Sequence, residues 1–380
     1  MTEHDEILTK FEAVSKDPNA YARSAKEKTG KKMLGFFCSY APEELVQAAG
    51  AHPFRLFGAA PDIELADSHL QTYCCSLVRG GLEDALRGRL DFLDGTVFPH
   101  TCDTIQRLSD IWRINAGFDI HIDAVMPVKL DTPSARKYMI DVLAGFRSDL
   151  EKALGVTITD SDIAASIRLY NRIRSGLSAI YDMRSGSPGI MPSEAVYHTM
   201  KAAMVMDRET LAEDLEKLVR SLKGVSGETA ETGETARKRI MLAGGICNHP
   251  DIYKILAEAG GDVVWDDLCT GLRYAGGMIE ESGDPLEAVA GRYMERMVCP
   301  AKHLSNTARG EHLVESVTRQ QIDGVIFLQL KFCDPHAFDY PYLKDFLDKQ
   351  GVPSMLLEIE EQKPPEGYMR TRFETFVDML

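Results

Sequence analysis

The amino-acid sequence predicts an α/β protein with two Rossmann-like domains, each built on a parallel sheet, and a helical insertion between them. Short apolar runs bounded by turn residues alternate with helical segments, which is the pattern of βαβ units. This strand–turn–helix order occurs near both ends of the chain, whereas the middle has helical periodicity alone. With 380 residues, the chain is also long enough for two separate cores.

The predicted elements follow in order along the chain. The strands are the apolar runs at residues 32–38, 52–57, 95–98, 239–244, 262–266, 323–330 and 352–359. The helices lie at residues 6–14, 76–87, 134–154, 160–183, 193–222, 251–259 and 370–380, and another runs from Pro42 to about Gly50. A polar, glycine-containing stretch at 224–235 predicts a linker.

These elements divide the chain into four regions. We assign an N-terminal helical segment, a first Rossmann-like domain, a helical connecting region and a second Rossmann-like domain to residues 1–30, 31–150, 151–236 and 237–380. The two α/β regions resemble distant copies of each other. In both, a cysteine and then a proline separate a strand from a helix, at Cys38 and Pro42 and at Cys247 and Pro250.

Composition limits the function classes. The chain has 43 basic and 58 acidic side chains and a formal charge of -15, which repels phosphate backbones, so we expect no nucleic-acid partner. It contains no apolar run long enough to span a membrane, and its N-terminal residues are polar and acidic. We therefore expect a cytoplasmic protein that does not bind membranes.

The eight cysteines carry the main functional signal. In a reducing cytoplasm they are not a disulfide framework, and the sequence has no C-x-x-C pair of the kind that zinc ribbons and ferredoxins use. Five of them fall at or just after the carboxyl end of a predicted strand: Cys38, Cys102, Cys247, Cys269 and Cys333. Ligands bind at this edge of open parallel sheets.

Several interpretations of these cysteines remain open at this point. Soft thiolates select iron–sulfur clusters, zinc or copper(I), whereas free cysteine also commonly fills a hydrophobic core. Cys75 precedes a predicted helix, whose N-terminus favours a thiolate, and Cys299 precedes Pro300. We expect Cys74 and Cys247 to be structural.

The sequence resembles the 2-hydroxyacyl-CoA dehydratase and benzoyl-CoA reductase family, which includes the double-cubane cluster proteins. The resemblance covers nearly the whole chain and is carried by the segments at 35–58, 74–86, 99–104 (PHTCDT), 260–274, 298–303 (VCPAKH) and 323–341. It implies an oxygen-sensitive iron–sulfur enzyme, with the cluster in the cleft between the two Rossmann-like domains.

The resemblance also implies the ligands. In the family, three cysteines bind one 4Fe-4S cluster, and they correspond here to Cys75, Cys102 and Cys333, which we call the first triad. Cys38, Cys269 and Cys299 resemble the additional ligands of the double-cubane branch, and we call them the second triad. In that branch two 4Fe-4S units are joined by a bridging sulfide, and the alternative is a single 4Fe-4S cluster on the first triad.

Partners follow from the same resemblance. Family members receive electrons from a separate ATP-hydrolysing activator that carries its own 4Fe-4S cluster, and this chain has no G-x-x-x-x-G-K-[ST] motif. A double-cubane protein is expected to be a homodimer, whereas a dehydratase or benzoyl-CoA reductase subunit is expected to pair with a related chain.

Three further residues are candidates for proton transfer or hydrogen bonding. His100 and His336 lie close to Cys102 and Cys333, and either could donate to cluster sulfides or to a substrate oxygen, although each could also be an ordinary loop histidine. Glu43 could protonate a reduced substrate, but acidic residues are common in the first turn of a helix.

The predicted function is therefore an iron–sulfur oxidoreductase. It would accept low-potential electrons from the activator and reduce a small, hard-to-reduce substrate at a double-cubane cluster. The alternative is a lyase or reductase subunit, of a 2-hydroxyacyl-CoA dehydratase or a benzoyl-CoA reductase, with one 4Fe-4S cluster and a CoA thioester substrate. A non-catalytic zinc or cluster-binding scaffold is the third possibility.

Overall fold

Two four-stranded parallel sheets, both covered by helices, confirm the predicted fold class. The structure is a computed structural model and describes residues 2–224, 237–360 and 364–380. Apart from Gly224, the predicted linker at 224–235 lies outside the described residues.

The first sheet and its helices occupy the N-terminal part of the chain. Their elements are α1 Glu3–Lys16, α2 Pro18–Thr29, β1 Met33–Phe36, α3 Glu43–Ala48, β2 His52–Arg55, α4 Ser76–Leu86, β3 Gly95–Phe98, α5 Asp103–Asn115 and β4 Ile120–Asp123. The strand order is β2-β1-β3-β4, and all neighbours are parallel. Strand β1 is buried along its whole length, which explains why it is a continuous apolar run.

A helical region follows, as predicted. It consists of α6 Pro133–Leu154, α7 Asp160–Gly186, α8 Ser193–Ala203 and α9 Arg208–Lys223. The helical stretch predicted over 193–222 is two helices, because the side chain of Asp207 accepts a hydrogen bond from the amide of Thr210 and begins a new helix there.

The second sheet repeats the topology of the first. Its region contains β5 Lys238–Gly244, α10 Asp251–Glu258, β6 Gly261–Asp267, α11 Leu272–Ala275, α12 Pro285–Glu295, α13 Ala308–Arg319, β7 Gly324–Leu330, α14 Asp334–Lys349, β8 Ser354–Ile359 and α15 Glu366–Asp378. The order β6-β5-β7-β8, again all parallel, matches that of the first sheet strand for strand. The shared order supports the interpretation of the two halves as distant copies.

Helix α7 connects the two sheet regions through buried ion pairs. Near its middle, Arg174 pairs with Glu44 of α3, and near its end Arg184 pairs with Asp262 of β6. All four side chains are nearly inaccessible to solvent. This helix therefore fixes the relative position of the two sheets.

None of the helices in the described parts of the chain is long and apolar enough to cross a membrane.

Candidate metal centre

Five cysteines follow the carboxyl ends of strands in the structure. Cys38 comes two residues after β1 and Cys102 four residues after β3, so both lie at the point of the first sheet where the strand order reverses. The hydroxyl of Thr101 donates to the sulfur of Cys38 at 3.0 Å, which joins the two loops directly. Ligands of open α/β sheets bind at this position.

Each first-triad cysteine is the residue that precedes the first turn of a helix. Cys75, Cys102 and Cys333 are the N-caps of α4, α5 and α14. No side chain caps these three helix ends, so the amide groups of the first turns have no side-chain acceptor. Free amides and the positive end of the helix dipole favour a thiolate, or a sulfide of a cluster, at such a position.

The three first-triad thiols are close enough to influence one another. Burial raises the pKa of Cys102 to about 12, and the neighbouring Cys75 adds to the increase. The pKa of Cys333 is raised well above its usual value, first by burial and then by Cys75, and Cys102 contributes as well. Thiols in this state bind a metal only after losing their protons, so loading of the site releases protons.

The second triad lies next to the first. The charge of Cys38 affects the pKa values of both Cys102 and Cys299, and Cys269 also acts on Cys299. Cys269 and Cys299 line one small cavity between the two halves of the chain, together with Ser39, Tyr40, Arg273 and Arg296. All six proposed ligands thus belong to one continuous neighbourhood.

Cationic side chains surround the second triad. Arg55 is fully buried, and its Nη2 donates to the sulfur of Cys269 at 3.5 Å, while its Nε and Nη1 have no hydrogen-bond partner. Burial raises the pKa of Cys269, but Arg55 and Arg273 outweigh burial and hold it below the usual value. Arg296 and Lys302 are also buried. Burial acts to lower the pKa of both side chains, whereas the nearby thiol of Cys38 acts to raise it.

The donor set and its surroundings fit an iron–sulfur cluster. Six thiols gathered from distant parts of the chain are soft ligands, and the unpartnered nitrogens of the buried Arg55 require a nearby anion. Within the described ranges, no three His, Cys, Asp or Glu side chains converge closely enough to hold a single metal ion. A cubane does not need such convergence, because each thiolate binds a different iron atom.

The two remaining cysteines have different surroundings. Cys247 is buried, the carbonyl oxygen of His249 is 3.7 Å from its sulfur, and the charge that acts on it most strongly is that of Lys201 rather than another cysteine. Cys74 is partly exposed, and burial and the neighbouring charges of Asp103 and Asp334 raise its pKa.

The predicted histidines lie beside the first triad but make different contacts. His336 is buried, with Nδ1 3.2 Å from the sulfur of Cys333 and Nε2 3.4 Å from Arg273. Burial and then Arg273 lower the pKa of His336 well below its usual value, so the imidazole is neutral. A guanidinium only donates, so Nε2 accepts and Nδ1–H is available to the sulfur. The Nε2 atom of His100 instead contacts the carboxylate of Asp123 at 2.7 Å.

His100 and Phe332, which lie shortly before the first-triad cysteines Cys102 and Cys333, have strained backbone conformations. His100 has φ 44° and Phe332 has φ 62°, and only one other described non-glycine residue has positive φ. Such conformations are unfavourable for side chains with a Cβ atom and persist where the surrounding structure enforces them. They lie in the loops that bring Cys102 and Cys333 to the site.

Glu43 lies in a buried polar network behind the Cys38 turn. Its carboxylate accepts from Arg208 at 2.8 Å, from Tyr274 at 3.1 Å and from Tyr170 at 3.3 Å. With these partners, Glu43 connects α3 to α7, α9 and α11. No sequence pattern indicated this network, because the partners come from distant segments.

Sequence reasoning also missed Arg55 and Arg273 among the buried cations of the second triad. Arg55 ends strand β2, and Arg273 belongs to the short helix α11. An arginine near the end of a predicted buried strand is a signal that could have indicated Arg55, since an unpaired charge is rarely buried without a function.

Comparisons with known proteins identify the family of the chain. The model of the family described as "2-hydroxyglutaryl-CoA dehydratase, D-component" matches residues 38–380. The chain belongs to this family. It is 27% identical to the (R)-phenyllactyl-CoA dehydratase beta subunit of Clostridium sporogenes, with 100% of both chains covered.

Two other members of the D-component family show its range. A benzoyl-CoA reductase subunit from Thauera aromatica is 27% identical, with 99% of this chain and 98% of the relative covered. The beta subunit of the (R)-2-hydroxyglutaryl-CoA dehydratase from Acidaminococcus fermentans is 26% identical, with 98% and 99% covered. The family thus contains dehydratase and reductase subunits that act on CoA thioesters.

Proposed function

We propose that this D-component family member is a cytoplasmic iron–sulfur oxidoreductase that binds a double-cubane cluster. The observation that carries the proposal is the presence of two adjacent cysteine triads in one chain, with all six thiols at one site between two sheets. When bound, a sulfide-bridged pair of 4Fe-4S units supplies low-potential electrons for reduction of a small substrate.

The roles of the chain's own residues follow from their contacts. The first triad would bind one cubane at the N-terminal ends of α4, α5 and α14, where the three cysteines are the N-cap residues. The second triad would bind the other cubane, with Arg55 beside Cys269. His336 would donate from Nδ1 to the sulfur of Cys333, and His100 and Glu43 remain candidates for substrate contact or proton transfer.

The proposed partners are those that the family likeness implies. An ATP-hydrolysing activator with its own 4Fe-4S cluster would deliver electrons, and the protein would act as a homodimer. The relatives are subunits of dehydratases and of a benzoyl-CoA reductase, which supports the alternative. In that alternative, this chain is half of a heterodimeric enzyme and carries a single 4Fe-4S cluster on the first triad.

Iron and acid-labile sulfide analysis of anaerobically purified protein separates these functions. We expect about eight irons per chain, whereas about four would favour the one-cluster subunit and zinc in place of iron would favour a scaffold. Cys299→Ser should lower the iron content, and Cys247→Ser is the matched control that should keep it. A wild-type count of about four irons that Cys299→Ser leaves unchanged would refute the double cubane.

The oligomeric state gives an independent readout. Light scattering on the loaded protein expressed alone should give a homodimer. A protein that is stable only when expressed with a second, related chain would contradict the homodimer and favour the subunit function.

A further inference from the structure

The two triads differ in the charge of their surroundings. Of the buried cations near the second triad, Arg273 faces Asp267 at 3.0 Å, and Arg309 faces Asp267 at 3.2 Å and Asp339 at 2.8 Å. These two arginines and two aspartates therefore compensate one another.

Three other cations at the second triad have no such compensation. In the described parts of the chain, Arg55, Arg296 and Lys302 form no ion pair with a carboxylate. Arg55 contacts the Cys269 sulfur, and Arg296 donates to the backbone carbonyl of Ser39 at 2.8 Å. Lys302 donates to a backbone carbonyl at 3.0 Å. All three are buried, so water does not screen their charge as it does at the surface.

The first triad has a less positive environment, because acidic side chains lie next to two of its cysteines. Asp103 directly follows Cys102 and Asp334 directly follows Cys333, and both aspartates are exposed. Each lies in the first turn of its helix, so it offsets the partial positive charge of that helix end, which is about half an elementary charge. Tyr73 and Phe332, close to Cys75 and Cys333, are 66% and 41% exposed.

We propose that the second triad is built as the more easily reduced of the two cluster sites, because Arg55, Arg296 and Lys302 surround it with uncompensated positive charge. Buried positive charge stabilises an added electron, whereas a nearby carboxylate destabilises it. An electron that reaches the protein at the first triad is then more stable at the second triad. The inference rests on the proposed double-cubane function.

Redox titration followed by electron paramagnetic resonance tests the inference without any activity assay. Reduction of the loaded wild-type protein should occur in two steps. Arg55→Met removes one positive charge and keeps the side chain at nearly the same length. We expect this variant to shift the higher-potential step, that of the second triad, to lower potential and to shift the lower-potential step less. Arg55→Lys keeps the charge and should restore the wild-type potential.

A surface variant provides the matched control. Lys137 lies on α6, is 80% exposed and pairs with Asp141 at 2.9 Å. Lys137→Met also removes one positive charge, but water screens it, so both steps should keep their wild-type potentials. Lys302→Met serves as a second test should Arg55→Met fold poorly, and it should lower the same step as Arg55→Met.

Iron content and reduction potential separate the two levels of the proposal. About eight irons in the wild type, with neither step shifted in a fully loaded Arg55→Met variant, would overturn the inference and leave the proposed function standing. A shift of the lower-potential step alone would also overturn it. About four irons in the wild type would instead refute the double-cubane function on which the inference rests.

Discussion

Replacement of Glu44 by glutamine should destabilise the protein severely, because this carboxylate balances two buried arginines. Glu44 is 1% exposed and pairs with Arg174, and Nη1 of Arg292 is 4.0 Å away. Burial raises the pKa of Glu44, but Arg174 and Arg292 outweigh burial and keep it below its usual value. The pKa of Arg292 is lowered to about 9 by burial and then by the like charge of Arg174, whereas Glu44 raises it.

The expected magnitude follows from the burial of this group. Removal of one partner from a buried ion pair typically costs about 3–5 kcal/mol, because the other charge is left uncompensated. Glutamine has nearly the same shape as glutamate, so packing changes contribute little. Since domains are stable by only about 5–15 kcal/mol, Glu44→Gln should remove a large part of the free energy of unfolding.

Urea denaturation measures this effect in each half of the chain. The two tryptophans are Trp112 in α5 and Trp265 in β6, so single-tryptophan variants report the unfolding of the two sheet regions separately. Glu12→Gln is the control, because Glu12 forms an exposed pair with Lys16 and its loss should leave the midpoint near that of the wild type. If the urea midpoint of Glu44→Gln were as high as that of Glu12→Gln, Glu44 would not stabilise the protein through its buried arginine partners.

Two further predictions test other parts of the fold. Burial, with a smaller effect of Arg208, lowers the pKa of His52 to about 3, so the unfolded chain binds more protons than the folded chain below about pH 6.5. Stability should therefore fall as the pH decreases from 6.5 towards 3, and at pH 5 this residue should account for a loss of roughly 2 kcal/mol. Denaturation at pH 6.5 and at pH 5 should show a smaller loss of stability for His52→Gln than for the wild type. An equal loss in the two proteins would contradict this role of His52. Gly58 has φ +57°, and a Cβ atom there would lie 2.1 Å from the carbonyl oxygen of Leu77, so Gly58→Ala should displace the start of α4 and with it Cys75. Iron analysis of Gly58→Ala should then show a lower iron content than in the wild type. The control is Gly145→Ala, in open space within α6, which should keep all the iron and stabilise its helix by up to about 1 kcal/mol. Full iron content in Gly58→Ala would contradict the prediction.

The sequence predicted the sheets well where burial is continuous. The strand predicted at residues 323–330 contains the apolar run 325–328, and β7 covers nearly the same residues as the prediction. Strand β4 was missed, because its four residues alternate between buried and exposed and include a histidine and an aspartate. Such a short edge strand is identified by its pairing with β3, which is a tertiary property.

The site was predictable only to the level of residue type and strand position. Cys247 and Cys333 both follow strands of the second sheet, yet Cys333 faces other cysteines whereas the charge that acts most strongly on Cys247 is that of Lys201. Which thiol faces the site depends on loop conformation, such as the positive φ of Phe332. The contact between Arg55 and Cys269 was unpredictable for a similar reason, because 214 positions of sequence separate the two residues.

Mössbauer spectroscopy and iron analysis of single cysteine variants test most directly whether distant thiolates bind shared iron. Cys75→Ser, Cys102→Ser and Cys333→Ser should each disturb the same set of iron sites, since the three residues are proposed to bind one cubane. Cys74→Ser and Cys247→Ser should leave the spectrum of the wild type unchanged. A first-triad variant with the full, undisturbed iron spectrum, or a Cys247→Ser variant that loses as much iron as Cys102→Ser, would contradict the account.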